Sequence, residues 1–123
     1  MLQRRLEEAK HYYQESLHIH REMQNRQDEA TDLYHLAIIA EAQGDLVHAN
    51  SFYHKCLAHL RETQNDHQIA DTLWMLGRFL ITKLDRRAEG CSMLMEAEQL
   101  YAKIGLPDEQ ETRKLLKELR CNE

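Results

Sequence analysis

The stretch Leu33–Leu57, LYHLAIIAEAQGDLVHANSFYHKCL, decides how this chain folds. Leu33, Leu36, Ala37 and Ala40 recur at helical steps of three and four, which puts them on one stripe. The small residues in that stripe allow a second helix to come close. Gly44 stops the pattern, because glycine readily takes the left-handed conformation found past helix ends. Asp45 then offers a side-chain cap to a new helix. The inner stripe of that helix is Leu46, Ala49, Tyr53, Cys56, Leu57 and Leu60. The stretch therefore reads as two short amphipathic helices folded back on each other.

Working outward, the same grammar recurs on both sides. Upstream, Leu6, Ala9, Tyr13 and Leu17 form a stripe, with Tyr12, Ile19 and Met23 in a second stripe beside it. That face is wide and its helix begins without a cap. The expectation is that the chain continues upstream in a parent protein, or that the face meets another copy. Asn25–Asp28 is a turn, with Asp28 as the expected N-cap. Downstream, Asn65-Asp66 repeats the turn chemistry. Ile69, Ala70, Leu73, Leu76, Gly77 and Leu80 follow on one helix. Asp85 marks the expected start of the next, which carries Ala88, Gly90, Leu94, Ala97 and Tyr101. Gly105-Leu106-Pro107 is a stop, and Asp108 with Glu111 has capping-box spacing. Leu115, Leu116 and Leu119 line one side of a last helix ending near Arg120.

Composition agrees with an all-α chain. Of 123 residues 30% are charged, with one proline and four glycines, too few turn formers for a β-sandwich. The net charge of −5 comes from interspersed acids and bases. Neither a nucleic-acid footprint nor a basic membrane patch is expected. No apolar run reaches the roughly 18 residues of a membrane span, and MLQRRLEEAK has no signal-peptide core. Cys56, Cys91 and Cys121 are widely spaced without a C-x-x-C, so free thiols and a cytoplasmic location are expected.

The chain repeats itself. Arg21-Glu22-x-Gln24-Asn25 matches Arg61-Glu62-x-Gln64-Asn65. At the same shift of 40, Ala9, Tyr13, Leu17, Ala30, Leu33 and Leu36 match Ala49, Tyr53, Leu57, Ala70, Leu73 and Leu76. A third partial copy needs one more residue of shift, placing Tyr53 on Leu94 and Cys56 on Ala97. Small falls on small and large on large. A single helix pair cannot bury its own stripe, so such copies stack.

With Leu33, Leu36, Ala37, Ala40, Gly44-Asp45, Ala49, Tyr53 and Cys56-Leu57 in these places, the chain resembles the tetratricopeptide repeat family. The period near 40 is similar to the variant in the C-terminal arrays of bacterial signal-transduction ATPases and transcriptional activators. The second copy departs from the pattern at Leu84, in place of the turn glycine, and at Met93 or Leu94, in place of the aromatic. Arg61 stands near the missing repeat-ending proline. The resemblance implies one domain over residues 1–123, a right-handed α-solenoid of antiparallel helix pairs. Its parts would be an unpaired helix 1–25, repeats 28–63 and 66–103, and a capping helix 107–120.

In such a stack the first helix of each pair lines an inner surface. The register puts Thr31, Tyr34, His35 and Ile38 there, with Asp71, Trp74, Met75 and Arg78. Aromatic and Arg anchors of this kind suit a bound protein or peptide, and Met adapts to its shape. Family members that grip a terminal carboxylate use Asn, Lys and Arg on these helices. Thr31 and Asp71 occupy the matching places, so that mode is not expected.

Other chemistries find less support. His11, Glu15, His18 and Glu22 share one helix face but form no closed ligand set, and His54 with Cys56 or His59 adds nothing. His67 falls in the first turn of a helix, a poor place for a ligand. No metal or other cofactor is expected. Cys56 sits on a core stripe, Cys91 stands beside one, and no nucleotide-binding or nucleophile motif occurs, so catalysis is not expected either. The alternative to partner binding is self-association, as a homodimer through the first or last helix.

Overall fold

A computed structural model describes residues 2–121, and among them it shows six α-helices and no strand. They are α1 (Leu2–Glu22), α2 (Arg26–Ala42), α3 (Leu46–Thr63), α4 (Asp66–Leu84), α5 (Arg87–Ile104) and α6 (Asp108–Glu118). The helices fall into two compact units divided between Thr63 and Gln64, α1–α3 and α4–α6.

The core of each unit is the stripe read from the sequence. In the first, Ala30, Leu33, Leu36, Ala37, Ala49, Tyr53 and Cys56 are all at most 2% exposed. In the second, Ala70, Leu73, Leu76, Leu80, Leu94, Ala97 and Leu116 are equally buried. Each leucine removed from water this way contributes about 1.5–3 kcal/mol. The α4–α5 crossing is the tightest in the chain to read from its glycines. A Cβ added at Gly77 would lie 2.8 Å from the Gly90 carbonyl oxygen and 2.9 Å from Leu94 Cγ. One added at Gly90 would lie 2.6 Å from the Gly77 carbonyl oxygen and 2.5 Å from Ile81 Cγ1. The two backbones touch where any side chain would hold them apart.

The turns explain where the helices begin, with three corrections. The cap of α2 is Asn25, not Asp28. Asn25 accepts a bond from the Asp28 amide at 3.1 Å, and its own amide group donates to the Asp28 carboxylate at 2.7 Å. Asp28 thus stands at the third helical position and holds the cap's side chain, while the Asn25 backbone amide donates to the His20 carbonyl. An asparagine cap also starts α4, where Asn65 accepts from the Gln68 amide. Gln24 and Gln64, the residues before these caps, both have left-handed φ, 56° and 58°. The repeated sequence therefore makes a repeated turn. Asp45 caps α3 as its position suggests, accepting from the His48 amide at 3.2 Å.

Asp85 does not start α5. It closes α4 in a left-handed conformation, φ 55°, and Arg86 precedes α5 without a side-chain cap bond. The left-handed position that Gly44 fills after α2 falls on Asp85 after α4, a short polar residue that tolerates it. Asp108 is likewise inside α6, preceded by Pro107, and no side-chain cap forms there.

The cysteines also correct the expectation. Cys91 and Cys121 form a disulfide, and only Cys56 stays outside it, as a buried thiol that donates to the Ala30 carbonyl. Their separation of 30 residues gave no local motif. The fold brings the chain beyond α6 back beside the start of α5. No helix among the described residues is long and apolar enough to cross a membrane.

Candidate functional site

On α2, Thr31, Tyr34, His35 and Ile38 make one ridge between fully buried neighbours. Thr31 is exposed and its hydroxyl donates to the Gln27 carbonyl; Tyr34, His35 and Ile38 are half-buried. His35 stacks on Tyr13 of α1, with ring centroids 4.7 Å apart and 18° between planes. Tyr34 meets His35 edge-on at 5.7 Å. The three rings form a continuous aromatic strip on the first unit.

On α4, Asp71, Trp74, Met75 and Arg78 make the corresponding ridge, and all four are half-buried. The Arg78 guanidinium lies over the Trp74 ring, 5.5 Å from its centroid. Such a pair contributes about 0.5–1 kcal/mol when exposed. Arg78 Nε is buried with no hydrogen-bond partner among the described residues. Asp71 accepts a bond from the Tyr101 hydroxyl and faces His67 at 3.5 Å. A cleft on the second unit lies elsewhere, beside the disulfide, and includes Arg87, Met95, Gln99 and Arg120.

A buried polar cluster in the first unit escaped the sequence reading. Asp32, on α2, is 4% exposed. Ser16 Oγ donates to it at 3.0 Å, and His20 Nδ1–H donates at 2.6 Å. Glu29, one turn earlier, is also 4% exposed and meets His59 Nε2 at 3.0 Å. A signal was present in the repeat. Shifted by 40, Ser16, His20, Glu29 and Asp32 match Cys56, Leu60, Ile69 and Thr72. Ser, His, Glu and Asp stand together where the second copy has Cys, Leu, Ile and the uncharged Thr72, as they must when each buried charge needs a partner.

Ser, His and Asp here do not make a nucleophilic triad. That mechanism needs the hydroxyl on one ring nitrogen and the carboxylate on the other. Ser16 Oγ instead lies 3.3 Å from His20 Nδ1, the nitrogen already bonded to Asp32. Its proton goes to the carboxylate, so nothing activates it. Ser16 is also mid-helix, where backbone amides are committed and cannot form an oxyanion hole.

The cluster raises the proton affinity of His20. Hydrogen bonding to Asp32 raises the pKa of His20 above 6.5; desolvation opposes this, and the charges of Asp32, Asp28 and Glu29 add to it. A histidine with a raised folded pKa contributes stability that is complete below its unfolded value. That contribution is lost as pH rises through the folded value. Denaturant titrations at about pH 6 and about pH 8 should show wild-type losing more stability on the alkaline side than His20→Gln. Equal losses in both would mean that His20 gains no proton affinity on folding.

No family model matches the chain, and no curated protein is significantly similar to it.

Proposed function

We propose that the chain is a protein-interaction module of the tetratricopeptide kind, whose α2 and α4 ridges take a peptide or protein. On this reading the helix pairs are successive units of a right-handed α-solenoid, with the ridges on its inner surface. The observation that carries it is the match between ridges. At the same repeat positions, Tyr34, His35 and Ile38, and Trp74, Met75 and Arg78, remain half-buried while their neighbours Leu33, Leu36, Leu73 and Leu76 are at most 2% exposed. Aromatic and Arg side chains of this kind are the ones that dominate interface energies. The module works as a scaffold or as a sensor array in a larger regulatory protein, without catalysis and apart from nucleic acid or membrane; a cytoplasmic location is expected from free thiols. The Cys91–Cys121 bond removes the free-thiol argument for that location.

Trp74→Ala and Arg78→Glu should abolish capture of the partner while circular dichroism shows unchanged helicity. Loss of helicity in both would make the ridge a part of the core instead. A second reading rests on α1, where Leu2, Tyr12 and Ile19 are 53–73% exposed, with Met23 just past its end at 66%. If this face pairs two copies, light scattering gives more than 14.6 kDa, and Ile19→Lys restores the monomer.

A further inference from the structure

We propose that His67, Asp71 and Asp108 form a binding site for a divalent ion of the zinc class, joining α4 to α6 within the second unit. His67 and Asp71 are one turn apart on α4, and His67 Nε2 lies 3.5 Å from Asp71 Oδ2. Asp108 is the first residue of α6. One ligand atom from each of the three lies within 4.8 Å of the others. An ion with bonds of about 2.0–2.2 Å draws tetrahedral ligand atoms to a little over 3 Å apart. His67 and Asp108 are exposed, and side-chain rotation covers that difference without moving a helix.

Three features separate this cluster from the other His–carboxylate pairs on the surface. His11–Glu15, His18–Glu22 and His48–Asp45 each bring two groups together. Among the described residues, three converge only here. The second feature is support from behind. The hydroxyl of Tyr101, a residue 3% exposed, donates to Asp71 Oδ1 and leaves Oδ2 facing His67. A hydrogen bond of that kind fixes a ligating carboxylate and sharpens metal affinity. The third is charge. The starts of α4 and α6 carry about half a positive charge each, which disfavours a cation. Two carboxylates outweigh them, and the nearby Lys103 is held by Asp66 at 3.1 Å. One imidazole nitrogen and two carboxylate oxygens suit zinc, cobalt or manganese better than calcium, and leave at least one position for water. In the sequence His67 is set aside for its place in the first turn of a helix; the fold adds Asp108, 41 positions along the chain, as a third group.

The test is zinc chloride titrated into the full chain, stripped with chelator and kept non-reducing so that the disulfide stays closed. Calorimetry should give one zinc per chain and thermal melting a rise in Tm. His67→Ala and Asp108→Asn should each weaken binding tenfold or more and abolish the rise. Tyr101→Phe should weaken it about tenfold at unchanged stoichiometry. His11→Ala should change nothing. The proposal is overturned by equal zinc responses from wild-type and Asp108→Asn, which mean adventitious binding, or by no heat and no shift with zinc in large excess.

Discussion

Gly90→Ala should destabilise the second unit by about 1–2 kcal/mol, in a substitution that ordinarily stabilises a helix. In an exposed helix interior, alanine is favoured over glycine by about 0.8–1.0 kcal/mol. At Gly90 the new methyl would stand 2.6 Å from the Gly77 carbonyl oxygen, which belongs to the backbone of the facing helix. A flexible side chain could swing away; a helix backbone cannot. The contact with Ile81 Cγ1 at 2.5 Å leaves no room on the other side. Overpacking a rigid site costs about 1–3 kcal/mol and occasionally more. The clash therefore exceeds the propensity gain, and the sign of the effect is the diagnostic. Gly77→Ala should behave alike, since its methyl would meet the Gly90 carbonyl oxygen at 2.8 Å. Urea denaturation of the two variants checks both. A neutral or stabilising Gly90→Ala would mean that α4 and α5 do not cross in this way.

Opening the Cys91–Cys121 bond should cost the second unit about 2–4 kcal/mol. The bridge spans 30 residues, and closing a loop of that size removes about 3–4 kcal/mol of chain entropy from the unfolded state in the entropic model. The loop contains most of α5 and all of α6, and α6 is short, with only Thr112 and Leu116 fully buried. Arg87 also bonds the Leu119 carbonyl, so the end of α6 is held to α5 at two places. Adding dithiothreitol should lower the denaturation midpoint of wild-type and leave that of Cys121→Ser unchanged. Cys56 is buried in the first unit and takes no part in the bridge, so Cys56→Ala should keep the full response to reductant. Three free thiols in protein prepared without reductant would contradict the bond.

The helices were legible because their signals are local. Leu33, Leu36 and Ala37 state a period, and Gly44 with Asp45 states a break, inside a window of a few residues. The repeat then transferred that reading to Leu73, Leu76 and Gly77. Capping was harder, because Asn25 and Asp28 are both good cap residues and only their hydrogen bonds show which is the cap and which holds the cap's side chain. Asp85 was misplaced for a related reason. Acidic residues suit helix starts, but Asp also tolerates the left-handed position that Gly44 fills after α2. Contacts between distant residues were not legible at all. The pairing of Cys91 with Cys121, of His20 with Asp32 and of His67 with Asp108 each depends on how helices pack. For the ridges, the sequence indicated which residues fall between core positions. It did not show that Tyr13 would stack on His35, or that Arg78 would lie over Trp74.

The most direct test of the central claim is residue-specific photocrosslinking in cells that produce the protein. Photoreactive benzoylphenylalanine would replace Tyr34 or Trp74 on the ridges, and Glu15 or Lys55 as exposed controls. The account predicts an adduct with the same protein partner from positions 34 and 74, and none from 15 or 55. No adduct from the ridge positions, or equal adducts from all four, would contradict it.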